Sequence, residues 1–276
     1  MLSCLRAHSR RILLMHTPSD PTRCLILGGT SEASALARLL AGDERFAPLL
    51  SFAGRTRSPV LPPIPCRTGG FGGASGLAAM LEQEGMHALI DATHPFAARI
   101  STNAAQAIAM WPLPFLGIVR PAWQPVAGDR WQMVDSLEEA AAALGMRPRR
   151  IFLTIGRQEL APFRACPWHH YVIRSVDAPE PHHLPPQATV LTARGPFATD
   201  DEIALLRSHR IDGIVTKNAG GSATEAKLAA CRALGLPVWM VRRPVIALPS
   251  NIVTTAQEAM RWLEMLHHER VTERGA

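Results

Sequence analysis

Tyrosine occurs once in this 276-residue chain, at Tyr171, and lysine only at Lys217 and Lys227. Reduction or epimerisation built on a Tyr-x-x-x-Lys pair needs a lysine four residues after a tyrosine, to lower the phenol pKa. Position 175 is Ser175, so that chemistry is excluded. There is no C-x-x-C pair, and the five cysteines (Cys4, Cys24, Cys66, Cys166 and Cys231) are odd in number and scattered. That pattern argues against a disulfide framework or a thiolate zinc site, and for a reducing, cytoplasmic setting. The histidine pairs His169-His170, His182-His183 and His267-His268 are sequence neighbours, which do not share a helix face. They read as surface residues, and no metal site is expected. Aromatic residues make up only 5% of the chain, and the basic residues behind its net charge of +6 are dispersed. Without a basic stripe or a stacking platform, nucleic acid is not the expected partner; a polyanionic small molecule accounts for the charge equally well. No apolar run approaches the ~20 residues that cross a membrane, so no membrane partner is expected.

What the chain does have is a hydrophobic fraction of 47%, enough for one large α/β core or two ordinary ones. Its most informative stretch is Cys24-Leu25-Ile26-Leu27-Gly28-Gly29-Thr30-Ser31-Glu32-Ala33. A short apolar run breaking into glycines reads as a buried strand entering a tight turn, with a helix over 31–41 after it. The first amides of such a helix lack intrahelical partners and carry the positive end of the dipole, so the turn suits a phosphate or pyrophosphate. It is not a full G-x-G-x-x-G fingerprint: the glycines are adjacent, and Ala33 stands near the third small position. Glu32 either caps the helix start or accepts a ribose hydroxyl. After the next strand, 48–53, an NAD-specific domain places an acid; this chain has Gly54-Arg55-Thr56-Arg57. Arg55 and Arg57 suit a 2′-phosphate, because a guanidinium binds phosphate oxygens in pairs, or they belong to a solvated basic loop. Taken together, turn and arginines favour NADP(H) over NAD(H).

Strands and helices alternate along the chain, which implies parallel sheets covered on both faces. The first half reads as strand 23–28, helix 31–41, strand 48–53, an extended piece 64–66, helix 75–84, strand 88–91, helix 97–110 and strand 114–119. Residues 123–131 read as a link broken by Pro125 and Gly128. The second half reads as helix 136–144, strand 150–154, strands 170–176 and 189–193, helix 200–208, strand 212–216, helix 222–234 and strand 237–241. An amphipathic helix over 255–268 can join either half. Residues 1–21 are expected to be a flexible extension, with Met15 an alternative start.

Ligands of open parallel sheets bind beyond the carboxyl ends of the strands. There the chain places the Gly28 turn, the Arg55 loop, Asp91-Ala92-Thr93-His94-Pro95, Thr154-Ile155-Gly156-Arg157, Thr192-Ala193-Arg194-Gly195 and Thr216-Lys217-Asn218-Ala219-Gly220-Gly221. Each combines hydroxyls or cations with small residues that allow close approach to the backbone. Six such loops on one rim suggest a cleft with cofactor on the first half and an anionic substrate on the second. His94 either faces a nicotinamide or buttresses its loop. Asp91 reads as a loop anchor or helix cap ahead of an acid catalyst, and Lys227 as helix surface.

Four segments in this order carry a resemblance: Leu27-Gly28-Gly29-Thr30-Ser31-Glu32-Ala33, Arg67-Thr68-Gly69-Gly70-Phe71-Gly72-Gly73, Ile90-Asp91-Ala92-Thr93-His94-Pro95-Phe96-Ala97 and Val215-Thr216-Lys217-Asn218-Ala219-Gly220-Gly221. From about Arg23 to Leu263 the chain resembles the precorrin-6A reductase family of cobalamin biosynthesis. The resemblance implies two Rossmann-like three-layer α/β domains with mostly parallel sheets and an interdomain cleft: an NADP-binding domain over 22–122 and a tetrapyrrole-binding domain over 131–268. It implies NADPH as cofactor, held by Gly28, Gly29, Thr30, Ser31, Glu32, Arg55, Arg57, Thr93, His94 and Pro95. It implies tetrapyrrole carboxylates meeting Arg157, Arg194, Gly195, Lys217, Asn218, Gly220 and Gly221. The implied reaction reduces one ring double bond of precorrin-6A to give precorrin-6B, the proton coming from Lys217, His94 or solvent. The family also includes cobalt-precorrin-6A reductases of the anaerobic route. The cobalt-free substrate is preferred here because Arg55 suits NADPH. Neighbouring enzymes of the pathway are candidate partners, and a non-catalytic nucleotide- or RNA-binding protein is the alternative of another class.

Overall fold

The computed structural model describes residues 20–53, 61–247 and 249–275. The expected extension and Met15, as well as Arg55 and Arg57, lie outside the described residues. The chain runs β1 (Thr22–Leu27), α1 (Ser31–Leu40), β2 (Phe46–Phe52), β3 (Cys66–Thr68), α2 (Gly73–Gln83), β4 (Ala88–Asp91), α3 (Ala98–Met110) and β5 (Phe115–Ile118). It continues with β6 (Trp131–Val134), α4 (Leu137–Ala143), β7 (Arg150–Thr154), α5 (Ala161–Arg164), β8 (His170–Ser175), β9 (Ala188–Thr192), α6 (Thr199–Ser208), β10 (Gly213–Lys217), α7 (Ala226–Leu234), β11 (Val238–Val241), β12 (Asn251–Val253) and α8 (Ala256–Gly275).

The strands form two six-stranded sheets, ordered β3-β2-β1-β4-β5-β12 and β9-β8-β7-β10-β11-β6, with parallel pairing throughout. Each is doubly wound: the chain builds outward from one central strand, then returns to build on its other side. The reversal lies between β1 and β4 in the first sheet and between β7 and β10 in the second. Crevices beyond the strand ends open at such switch points.

Burial on both faces follows from the strand sequences. Cys24 and Ile26 of β1 point into a core shared with Leu36 and Leu40 of α1 and Ala259 and Leu263 of α8. Leu25 and Leu27 point the other way, against Leu77 and Leu81 of α2 and Ala104 and Ala107 of α3. The period-2 side-chain alternation thus feeds two layers from one continuous apolar run. The second sheet repeats the plan, with α4 and α5 on one face and α6 and α7 on the other.

Two short strands escape a periodicity reading. The link ends at Arg130, because Trp131–Val134 is a strand, β6, on β11. Asn251–Val253 pairs with β5, and α8 packs its Ala256, Ala259 and Leu263 into the first core. The last strand of the second sheet therefore ends at Val241, short of the expected limit at 268, and β12 and α8 go with the first sheet. Each sheet thus has an edge strand, β12 in the first and β6 in the second, that the chain lays down on arriving from the other half. Strands of three and four residues are decided by their pairing partners rather than by their own pattern. Two other surface expectations also fail. Lys227 is buried in α7, and His169 is fully buried with Nε2 2.9 Å from the Gly145 carbonyl oxygen, where burial pushes its pKa down.

Candidate functional site at the two switch points

The first switch point is formed by the turn after β1 and the loop after β4. The N–H of Gly28 donates to Ser51 O at 2.9 Å, and a side chain at Gly28 would meet Leu50 Cδ1 at 2.6 Å, so any larger residue has to displace the buried Leu50 side chain. Gly29 differs: its φ is +122° and nothing stands within 4 Å of where a Cβ would be. Its backbone is open to a ligand. Thr30 caps α1, its Oγ1 accepting from Ala33 N at 3.2 Å and donating to Ala92 O at 2.7 Å. This hydroxyl ties the two loops together rather than facing outward. Ser31 is exposed and donates to Glu32 Oε2 at 3.1 Å. A glycine with an open face and a helix start on a central strand form the cradle a dinucleotide phosphate requires, so the residues present fit such a cofactor.

Asp91 anchors the loop after β4. Its Oδ1 accepts from Thr93 N at 3.0 Å and from Thr93 Oγ1 at 2.7 Å. Asp91 and Thr93 thus set the loop's shape and place His94 and Pro95 in the wall of a cavity of about 240 Å³. Gly117, Ile118 and Val119 line its floor at the end of β5, and Arg243, Pro244, Val245 and Ile246 line the side given by the crossing that follows β11. His94 lines this cavity, and its Nδ1 accepts from Phe96 N at 3.2 Å, a bond that buttresses the loop.

The second switch point is formed by the loops after β7 and β10. Lys217, at the end of β10, has both Glu159 carboxylate oxygens against its Nζ. Glu159 Oε2 also accepts from Gly156 N at 3.0 Å. Lys217 Nζ further lies 4.9 Å from the centre of the Phe96 ring. Phe96 comes from the first half yet packs against the second half's core. The two switch points therefore face each other, His94 and Lys217 flanking Phe96. Arg157 lines a smaller depression with Gln158, Glu180 and His183. Arg194 is exposed on the loop after β9, and Gly195 beside it packs under the Ala223 carbonyl.

Three residues expected at a substrate serve the seam between the halves instead. The Asn218 side chain is buried and bonded to Trp123 through both amide atoms, Oδ1 accepting its N–H at 2.8 Å and Nδ2 donating to its carbonyl at 3.0 Å. Gly220 and Gly221, at φ +69° and +78°, let this loop lie against Arg120 and Pro121. Gly220 allows close approach to the Pro121 backbone and Gly221 to the Arg120 side chain, which is the same physical need a ligand would impose.

Sequence reasoning missed Glu159, Arg120 and Arg243. The last two follow β5 and β11 directly, so the strand-end criterion applied to every strand would have found them. Glu159 had no signal of its own beyond its closeness to Arg157. Beneath the 218–224 loop, Lys227 donates from Nζ to Thr224 O at 2.6 Å and lies 4.7 Å from the Trp123 ring centre. Burial first, and then the nearby Arg174 guanidinium, push its pKa down to about 7. Arg174 itself is held by Glu202 in a buried bidentate pair. Among the described residues there is no cluster of three or more His, Cys, Asp or Glu able to hold a metal, and no helix long and apolar enough to cross a membrane.

Comparison with known proteins places these features in a family. The model described as precorrin-6x reductase CbiJ/CobK matches residues 23–264. A precorrin-6A reductase from a Sinorhizobium species is 56% identical over 225 residues, covering 81% of this chain and 86% of that protein. A solved structure titled CobK precorrin-6A reductase superposes with a TM-score of 0.83 at 48% identity, covering 89% of this chain and 97% of that one. A cobalt-precorrin-6A reductase from Priestia megaterium is more distant, 28% identical over 193 residues, or 66% of this chain and 75% of its own length.

Proposed function

The chain belongs to the precorrin-6x reductase family, CbiJ/CobK, and on that footing we propose that it reduces one ring double bond of precorrin-6A with NADPH, giving precorrin-6B in cobalamin biosynthesis. The observation that carries the reading is the confrontation of two switch points, one with an open glycine turn and the other with basic loops, across Phe96. When bound, the nicotinamide nucleotide supplies the hydride. The residues of this chain bind and orient the two reactants. The α1 amides and the open Gly29 backbone receive the pyrophosphate. Arg55 and Arg57 take the 2′-phosphate, because the sequence following β2 has arginines where an NAD-specific chain has an acid. The Asp91–Thr93 bonds hold His94 and Pro95 in the cavity wall, and Pro244 and Ile246 add apolar surface to its lining.

On the second half, Arg157, Arg194 and Lys217 meet substrate carboxylates. Lys217 does so in competition with Glu159, which already neutralises it. That engagement makes Lys217 a poor proton source. His94 Nδ1 accepts from Phe96 N, so the ring is the neutral Nε2–H tautomer, which can orient a ligand by hydrogen bonding but does not give up its proton; solvent supplies the proton. A metal-free substrate is favoured by the gap between 56% identity to a precorrin-6A reductase and 28% to a cobalt-precorrin-6A reductase. The deciding experiment mixes protein, NADPH and precorrin-6A without oxygen and follows the absorbance of both reactants. Equimolar loss of NADPH and precorrin-6A is expected; precorrin-6A that stays unchanged while NADPH persists defeats the reading.

A further inference from the structure

The two switch points are joined by polar contacts that neither hydride transfer nor protonation requires. Arg120 stands just beyond β5, on the first crossing between the halves. Its Nη1 lies 3.2 Å from Glu32 Oε2 and 3.4 Å from Oε1, in the first turn of α1. Its Nε donates to Ala219 O at 2.8 Å, in the loop after β10. Both side chains are largely enclosed, with 14% of Arg120 and 20% of Glu32 exposed, so the pair is screened less than a surface ion pair. One planar guanidinium therefore spans from the phosphate-side helix to the loop that carries Lys217. Arg243, on the second crossing, grips the same loop. It donates to Asn218 O at 2.9 Å, to Ala219 O at 3.1 Å and to Arg120 O at 2.9 Å. The Ala219 carbonyl thus accepts from one arginine of each crossing. The glycines after it make this possible, since a Cβ at Gly220 would lie 2.1 Å from Pro121 O.

We propose that Arg120 is a positioning residue that couples the two ligand sites, so that dinucleotide at the α1 turn and tetrapyrrole at the Lys217 loop each strengthen the binding of the other. The identities of the two ligands rest on the function proposed above; the coupling rests on the Glu32–Arg120–Ala219 contacts. A phosphate at the start of α1 adds negative charge on the Glu32 side of the guanidinium. Arg120 is then held by two anionic neighbours instead of one, and its bond to Ala219 fluctuates less. The loop bearing Lys217 is ordered before the tetrapyrrole arrives, so the second ligand has less ordering entropy to lose. Linkage makes the effect equal in both directions.

The test uses NADP⁺, which has no hydride to give and so allows both ligands to be present without turnover. Calorimetry measures its Kd for the full chain with and without saturating precorrin-6A. The wild type is expected to bind NADP⁺ about ten-fold more tightly when precorrin-6A is present, within the usual range of coupling between sites. In Arg120→Gln the ratio is expected to fall below about two, with the Kd for each ligand alone within about three-fold of wild type. Arg120→Lys keeps the charge beside Glu32 but not the planar fork that reaches Ala219. The same loss is expected there, and this variant decides the matter where Arg120→Gln does not fold. A ten-fold ratio retained in the variant overturns the proposal. So does a wild type that binds both ligands without mutual effect. A wild type that binds neither ligand overturns the functional reading, and the coupling with it.

Discussion

Lys227→Met isolates the cost of the buried ammonium in α7. The side chain is 4% exposed within a helix of the second half, and its pKa lies at about 7 against an ordinary 10.5. At roughly 1.4 kcal/mol per pH unit, keeping this lysine charged in the fold costs about 4–5 kcal/mol below pH 7. Between pH 7 and 10.5 the unfolded chain holds the proton and the folded chain does not, so stability rises with pH through this window. Methionine has a similar length and no charge to desolvate. It forfeits the bond to Thr224 O and the contact with the Trp123 ring, together about 1–2 kcal/mol. The variant should therefore be more stable than wild type at pH 6, by about 3 kcal/mol. Its advantage should shrink by about 3 kcal/mol between pH 6 and pH 9. Urea unfolding of both proteins at each pH gives the difference directly, since other titrating groups are common to both. A stability difference that does not change with pH, or a variant weaker at pH 6 than at pH 9, refutes the reasoning.

Arg55→Glu should weaken NADPH far more than NADH, since it removes a phosphate partner and adds repulsion; equal losses for the two cofactors in a binding titration would sink the assignment. Lys217→Ala should raise the KM for precorrin-6A about ten-fold or more, as one charge-assisted contact is worth about 1.5–3 kcal/mol, while kcat changes little; abolished turnover with binding intact would instead make Lys217 the proton source. Gly220→Ala should cost several kcal/mol, about 2–4 on the usual scale for backbone strain plus overpacking, because its Cβ would press on Pro121 O at φ +69°; a melting temperature within a degree of wild type would contradict this. Deleting residues 250–276 removes β12 and strips Ala256, Ala259 and Leu263 from the first core. Such a loss is comparable with the 5–15 kcal/mol that holds a typical domain together, so no cooperative unfolding transition should remain for the first half, whereas the second half keeps both of its cores.

The local chemistry of this protein was already legible in its sequence. The β1 run, the glycine break and the Thr30 cap form a strand, turn and helix because neighbouring residues alone satisfy them: alternating burial, a positive φ at Gly29, a hydroxyl for the Ala33 amide. The alternation of elements likewise forced parallel sheets, and the strand-end loops marked the rim that carries both switch points. What the sequence could not decide was which half owns which piece. β12 and α8 carry no label, and they join the first sheet because β5 offers an open edge and α1 an apolar face. The same holds for polar side chains. Asn218, Gly220 and Gly221 have the composition of a ligand loop, yet in the folded chain they serve the seam, because Trp123 and Pro121 arrive there from a hundred residues away. Lys217 meets Glu159, and Arg120 meets Glu32, for the same reason. Short-range physics depends on residue type and spacing, which a sequence displays. The pairing of distant charges and the choice of a sheet edge depend on where two crossings bring the halves together, and only the tertiary structure settles that.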